Sequence, residues 1–409
     1  MKKILIKAIV LSELLLSLAL LHCAGSRHRV LRPATATDGQ SATLPNTWRI
    51  SPAGRPLPLP GDMAMRIIVS PDGGRAFVNT AGWHDHSVNI IDLTAEKIIA
   101  GFPIAKNWTG MAFDPTRREL FVSGGGPVTE RFASAAVQFG VSQAMLDYLK
   151  NPISRLSVKD DRLELLPSLA IEGLSDEQWF ISGVALGIDG TLYVVDINND
   201  TVYRLSGADF SRQTCAQVGY RPYGAAPSPD GKILAVSNWG EESVSLLDAE
   251  SMKETGRMKV GNHPNDLLWS QDGRLFVANS GSNSVSVISN AKVTETIRTS
   301  INPRDLVGAT PVALAVSKDG RRLYAANADN NSIAVIDISR PGESEVLGFI
   351  PTGWYPSAVA VSPDGQKLYV ATGKGGMNLR GNFPAITPFK RTAPDPTRPY
   401  DYVGSQLQS

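Results

Sequence analysis

The chain has 409 residues, 40 basic against 39 acidic, and a formal net charge of +1, so no global field points to nucleic acid or to an acidic partner. Hydrophobic residues make up 42% and charged residues 19%, with 37 Gly and 27 Pro, which suits many short strands and tight turns better than long helices. Any binding function must therefore be local.

At the N-terminus, Met1, Lys2, Lys3 and Lys7 precede an apolar run from Ala8 to Leu21, interrupted by Glu13 and ending at His22-Cys23-Ala24-Gly25. This is the layout of a signal peptide over residues 1–25, and the run is shorter than the roughly 20 apolar residues of a membrane span. Export to the periplasm or cell envelope is the expectation. Two maturation routes are open. Cys23 stands where a lipoprotein signal places its acylated cysteine, although His22 replaces the small residue expected before it; cleavage after Gly25 would discard it instead. Residues 26–46, rich in Ser, Thr, Ala and Arg without periodicity, read as a flexible tether. Cys215, the other cysteine, lies in an apolar-alternating stretch and is expected as a small buried hydrophobe.

An apolar run followed by an Asp-Gly turn recurs at Asp72-Gly73, Asp189-Gly190, Asp230-Gly231, Asp272-Gly273, Asp319-Gly320 and Asp364-Gly365, with a degenerate copy at Asp114-Pro115. The spacing is about 41 to 47 residues, apart from a gap of about 75 between Asp114 and Asp189. Within a unit the pattern is alternating strand, turn, strand, Asn-containing loop, strand and a fourth strand, as in LFVANSGSNSVSVI from Leu275 and LYAANADNNSIAVID from Leu323. Four short strands per unit predict propeller blades. The fold class expected is all-β, a seven-bladed β-propeller of four-stranded blades over residues 47–376. In the long gap, Phe132, Ala136, Phe139, Val141, Met145 and Leu149 are spaced nearer a helix than a strand, which predicts a helical insertion in blade two over Val128 to Lys150.

These segments resemble the YVTN β-propeller repeat family, whose hallmark is a Tyr-Val-Ala/Thr-Asn strand end followed by Asn-x-Val-Ser-Val-Ile-Asp. A ring must close, because an open edge strand would template aggregation. The last unit offers Ser357 to Val361 and Lys367 to Ala371; Thr47 to Ile50 and Arg55 to Leu59 are the pieces expected to complete it. Residues 377–409 are rich in Gly, Pro and Lys and read as an extended linker. Together with GWYPSAVAVSPDGQKLYVATGKG before it, this tail is similar to the junction in exported proteins that join such a propeller to an alkaline-phosphatase-type phosphoesterase. That resemblance implies a hydrolase elsewhere in the parent protein; its metal-binding clusters and nucleophile have no counterpart in these residues.

In a propeller the Asp-Gly turns mark one face, and the inter-blade loops with the loops between second and third strands mark the other. On that second face the sequence places Trp83, His84, Asp85, His86, Asn107, Trp108, Gln178, Trp179, Tyr220, Arg221, Trp239, Asn262, His263, Arg304, Asp305, Trp354 and Tyr355. Five of the seven tryptophans are among them. Loops on a rigid scaffold carry function, and Trp is common at hot spots, although rings before a proline, as in Gly219-Tyr220-Arg221-Pro222 and Gly353-Trp354-Tyr355-Pro356, also wedge between blades. His84-Asp85-His86 could offer metal ligands, but neighbouring ligands in a loop diverge, so neither a metal nor another cofactor is expected.

No Gly-x-Ser-x-Gly elbow, phosphate loop or haem-attachment motif is present. Ser123-Gly124-Gly125-Gly126 has no following Lys-Ser/Thr and reads as loop glycine. The expectation is an exported, non-catalytic binding or scaffolding propeller with a protein, glycan or small ligand on its Trp-rich face, or with a phosphoesterase partner, and with no nucleic acid. A membrane association would run only through the lipid anchor. The alternative is an enzyme at the channel mouth, a lactonase-like hydrolase or a quinone- or metal-dependent oxidoreductase.

Overall fold

The computed structural model describes residues 53–60, 63–81, 86–104, 106–126, 152–174, 178–301 and 308–373, together with strand backbone at Ala34–Thr35, Ala42–Thr43, Arg49–Ile50 and Gln406–Gln408. Six blades, spanning 63–103, 111–169, 181–217, 222–259, 264–298 and 311–351, are each an antiparallel sheet of four consecutive strands. Their first strands stand side by side around a central channel, in chain order from Met63–Val69 to Pro311–Val316. Pro356–Val361 stands between the last of these and the first, and closes the circle.

The structure corrects the expectation of seven blades with a helical insertion. Six blades are built from consecutive strands, while the closing sheet is a composite of Pro356–Val361, Leu368–Thr372, Gln406–Gln408 and Pro56–Pro58 in that order. An Asp-Gly turn marks only the first hairpin of a unit. Counting such turns therefore counts hairpins, and the one at Asp364 is followed by a single consecutive strand. Arg49–Ile50 does not enter this sheet but pairs with Ala42–Thr43, which pairs with Ala34–Thr35. Among the described residues there is no helix. The helical excursion expected at Val128 to Lys150 lies outside them, and the second blade is assembled from the strands on either side of it.

Burial follows position in the blade. Second strands such as Leu192–Asp196 and Leu275–Asn279 are buried throughout, because neighbouring blades cover both of their faces. Outermost strands such as Glu254–Lys259 alternate with exposed positions. Between the second and third blades, Phe121, Ile153, Ile181, Leu192 and Phe210 form one contiguous core, and equivalent cores seal the other junctions.

The turns repeat a single device. The Ser70 hydroxyl donates to Asp72 Oδ1 at 2.5 Å, as do Ser270 to Asp272 and Ser317 to Asp319, while Gly73 supplies the left-handed φ of 72°. The Ser70 hydroxyl, with the Gly74 amide, holds the Asp72 carboxyl below the usual carboxylate range. At the other face, second strands carry fully buried asparagines at or near their ends: Asn79, Asn238, Asn279 and Asn327. Asn79 Nδ2 donates to the Trp108 carbonyl at 2.7 Å and Asn327 Nδ2 to the Thr299 carbonyl at 2.6 Å. Asn79 thereby ties the loop that leads on to the next blade, and Asn327 the loop that arrives from the preceding one.

Candidate functional site

The inner strands begin with a recurrent corner. Arg221, His263, Thr310 and Tyr355 adopt left-handed φ between 50° and 63°, and each precedes the proline that opens an inner strand. Such a conformation is costly for residues other than glycine and must be held by its surroundings. Two corners are held by side chains: Asn331 Oδ1 accepts from the Tyr355 amide at 2.9 Å, and Asp200 Oδ1 from the Arg221 amide at 2.7 Å. One or two residues later the ladders carry register shifts, for example between Pro264 and Asp266 and between Ala64 and Arg66. Bulges of this kind re-aim side chains.

A cavity of about 280 Å³ occupies the channel at this end of the inner strands. Its polar lining comes from Arg66, Trp108, Tyr223, Asn265, Asp266 and Tyr355, and its apolar lining includes Met63, Met65, Met111 and Leu267. Arg66 Nη1 donates to Asp266 Oδ1 at 2.9 Å from the first blade to the fifth. Asp266 Oδ2 accepts the Leu314 amide at 2.8 Å, and Asn265 Oδ1 accepts the Asp266 amide at 2.8 Å. The Asp266 charge, against the cost of burial, holds the Arg66 guanidinium above its usual range. Burial pushes the Tyr223 phenol up, partly offset by the Thr109 and Trp108 side chains. Burial also raises Tyr355, with the charges of Asp329 and Tyr223 adding to it. Trp108 Nε1 is buried with no hydrogen-bond partner; its ring meets Phe180 edge-on at 5.3 Å.

The residues expected from sequence fall into separate groups. Trp108 and Tyr355 line the channel. Asn107 is buried behind them, its amide donating to His86 Nδ1 at 3.1 Å. Tyr220 and Arg221, at the entry to the fourth blade, adjoin Trp239, which reaches His263, beside Asn262, at the entry to the fifth. There the Trp239 and His263 rings stack at 4.0 Å, and the Arg221 guanidinium lies 5.5 Å from the centre of the Tyr220 ring, which is 52% exposed. The Asn262 amide donates to Ser282 Oγ at 2.7 Å. Trp179 is 3% exposed and structural, packed in the core between the second and third blades. Trp354 adjoins Tyr355 at its corner. Trp83, His84, Asp85, Arg304, Asp305 and Cys23 lie outside the described residues.

Three residues escaped sequence reasoning: Arg66, Tyr223 and Asp266. A signal for two of them was present. Four other inner strands carry small or apolar residues, as in SGVAL, YGAAP, VALAV and SAVAV, and Met111–Asp114 is charged only at its turn end, so a charge within Met63–Val69 or Pro264–Trp269 stands out. Lys106 was also overlooked. Its ammonium lies 4.5 Å from the centre of the Trp179 ring and donates to the Gly126 carbonyl, and burial lowers its pKa to about 8. Cys215 is exposed, not buried, because Arg212–Gln217 is the outermost strand of its blade. Among the described residues, no three His, Cys, Asp or Glu side chains gather as a metal site.

Residues 182–377 match the SMP-30/gluconolactonase/LRE-like region. A stretch of 125 residues is 29% identical to an uncharacterized protein of Staphylococcus epidermidis, covering 29% of this chain and 36% of that protein, and a second protein of the same species matches equally. The chain thus spans about a third of the length of these curated relatives. Among solved structures, hydrazine synthase of Kuenenia stuttgartiensis is 18% identical with a TM-score of 0.57, covering 78% of this chain and 95% of that one. A catalytically inactive virginiamycin B lyase from Staphylococcus aureus, solved with quinupristin, is 14% identical with a TM-score of 0.55, covering 77% and 94%. The WD40 repeats of RRP9 are 11% identical with a TM-score of 0.62, covering 87% and 96%. At these identities the solved structures speak for the β-propeller fold alone.

Proposed function

We propose that this chain is a binding propeller that takes a small organic ligand into its channel, at the face carrying the inter-blade loops. The observation that carries this reading is the state of Asp266. One oxygen is held by Arg66 and the other by the Leu314 amide, so this carboxylate organises the channel wall. Around it stand donors and aromatic faces on a rigid ring, the make-up of a preformed ligand site. The test is a fluorescence titration of the intact protein with a panel of small neutral and anionic ligands, beside a hydrolysis assay on glucono-1,5-lactone. Saturable binding without turnover is expected; turnover that disappears in Asp266→Asn would overturn the reading.

A second reading, lactone hydrolysis at the same channel, draws its support from the match of residues 182–377 to the SMP-30/gluconolactonase/LRE-like region. The hydrolysis assay separates the two. We further infer that the chain is exported, on the strength of the basic, apolar and small-residue order of residues 1–25. In this reading the C-terminal segment, similar to a propeller–phosphoesterase junction, points to a phosphoesterase as partner. Fractionation of cells producing the full chain tests both inferences: cytoplasmic retention would sink the first, and repeated absence of a co-purifying phosphoesterase the second.

A further inference from the structure

The binding reading can be taken further, to the chemistry of the ligand. We propose that the channel selects a small monoanionic organic acid, whose carboxylate meets Arg66 and Trp108 while its apolar body lies against the methionines. The inference rests on the binding reading and narrows it.

Arginine offers five N–H donors, and the Arg66 side chain spends one of them on Asp266. That side chain is 43% exposed although it stands inside the ring, so it faces the cavity that it lines. Trp108 Nε1 is a second donor, buried without a partner on the same wall. Buried donors without acceptors are costly, and natural proteins keep few of them. Asp266 has both oxygens engaged and has little left to offer a cation. A carboxylate is the group that two such donors complement, and guanidinium–carboxylate pairing is among the stronger charge-assisted contacts.

Charge limits the ligand further. Arg66 is the one cation in the cavity lining and already gives one donor to Asp266, so a second negative charge on the ligand would find no cation of its own in this wall. Size points the same way: about 280 Å³ lies at the lower end of ligand pockets. Met63, Met65 and Met111 supply an adaptable apolar surface for the remainder.

Benzoate and benzamide share shape and size and differ in charge, which makes them the probes. Calorimetric titration of the full chain is expected to show benzoate binding at least tenfold more tightly than benzamide. In the Arg66→Gln/Asp266→Asn double variant, which removes the cation without stranding its partner, that preference should vanish. Trp108→Phe should weaken benzoate several-fold, and Arg162→Gln, far out on the second blade, should change nothing. Equal binding of both probes to the wild type, or a preference that survives in the double variant, overturns the inference and leaves the binding reading intact. Binding of neither probe, with neutral ligands of the wider panel still bound, does the same. Failure of the whole panel defeats both.

Discussion

Arg66 Nη1 and Asp266 Oδ1 lie 2.9 Å apart although 200 residues separate them in the chain. The contact fixes the first blade against the fifth across the channel, a relation that no local segment could establish. We predict that Asp266→Ala destabilises the fold by about 1–3 kcal/mol, because it strands a guanidinium and the Leu314 amide together. The lower half of that range is expected, since solvent reaches Arg66. A urea denaturation midpoint unchanged from wild type would refute the prediction.

Close approach of the inner strands gives a second prediction. A Cβ at Gly183 would meet the Tyr223 carbonyl oxygen at 2.7 Å and the Gly224 Cα at 3.2 Å, whereas one at Gly348 would meet nothing within 4 Å. Gly183→Ala should cost about 1–3 kcal/mol through backbone displacement, and Gly348→Ala should stay within about 0.5 kcal/mol of wild type. Equal midpoints for the two variants would count against this packing.

Lys106 makes the third prediction a matter of pH. Its pKa is lowered to about 8 by burial, against about 10.4 for a free lysine in an unfolded chain. Between those values the unfolded chain binds the extra proton, so the contribution of Lys106 to stability rises with pH across that window. Below about pH 8 the burial penalty on the charged amine is fully present. The stability difference between wild type and Lys106→Met should therefore shift in favour of wild type between pH 7.5 and pH 9.5. A difference that does not change over that interval would show that the amine is ordinary.

Exposure of Cys215 supplies a fourth. The native protein should react with a thiol reagent at this position as fast as an unhindered model thiol, and Cys215→Ser should abolish that reaction while leaving stability within about 0.5 kcal/mol. Slow labelling that accelerates in urea would place the residue in the core instead.

The blades were legible because each carries its instructions locally. A period-two strand, a Ser-x-Asp-Gly turn and an asparagine late in the second strand recur together in the first, fourth, fifth and sixth blades. Ring closure was legible in part: Arg55 to Leu59, Ser357 to Val361 and Lys367 to Ala371 were expected in one blade and Pro56–Pro58, Pro356–Val361 and Leu368–Thr372 share the closing sheet, but its third strand was not foreseen. Gln406–Gln408 sits in a tail whose composition reads as linker, and its partners Pro56–Pro58 and Leu368–Thr372 share no period with it. Of the site, Trp108 and Tyr355 could be found because aromatic residues in inter-blade loops attract notice. Arg66 and Asp266 went unremarked in the sequence; they stand in the channel beside the bulges at Ala64/Arg66 and Pro264/Asp266. The same positional reading misplaced Trp179, a ring that wedges between blades.

The channel wall takes residues from every blade and from the closing sheet. A ligand held there has affinity for the closed circle only, and no subset of blades contains its complete seat. By mass action, an occupant at a free concentration a hundredfold above its Kd would oppose opening by about 2.7 kcal/mol. It would act as a keystone, guarding from proteases a seam between Pro356–Val361 and Met63–Val69 whose outer strands lie well away from the ligand.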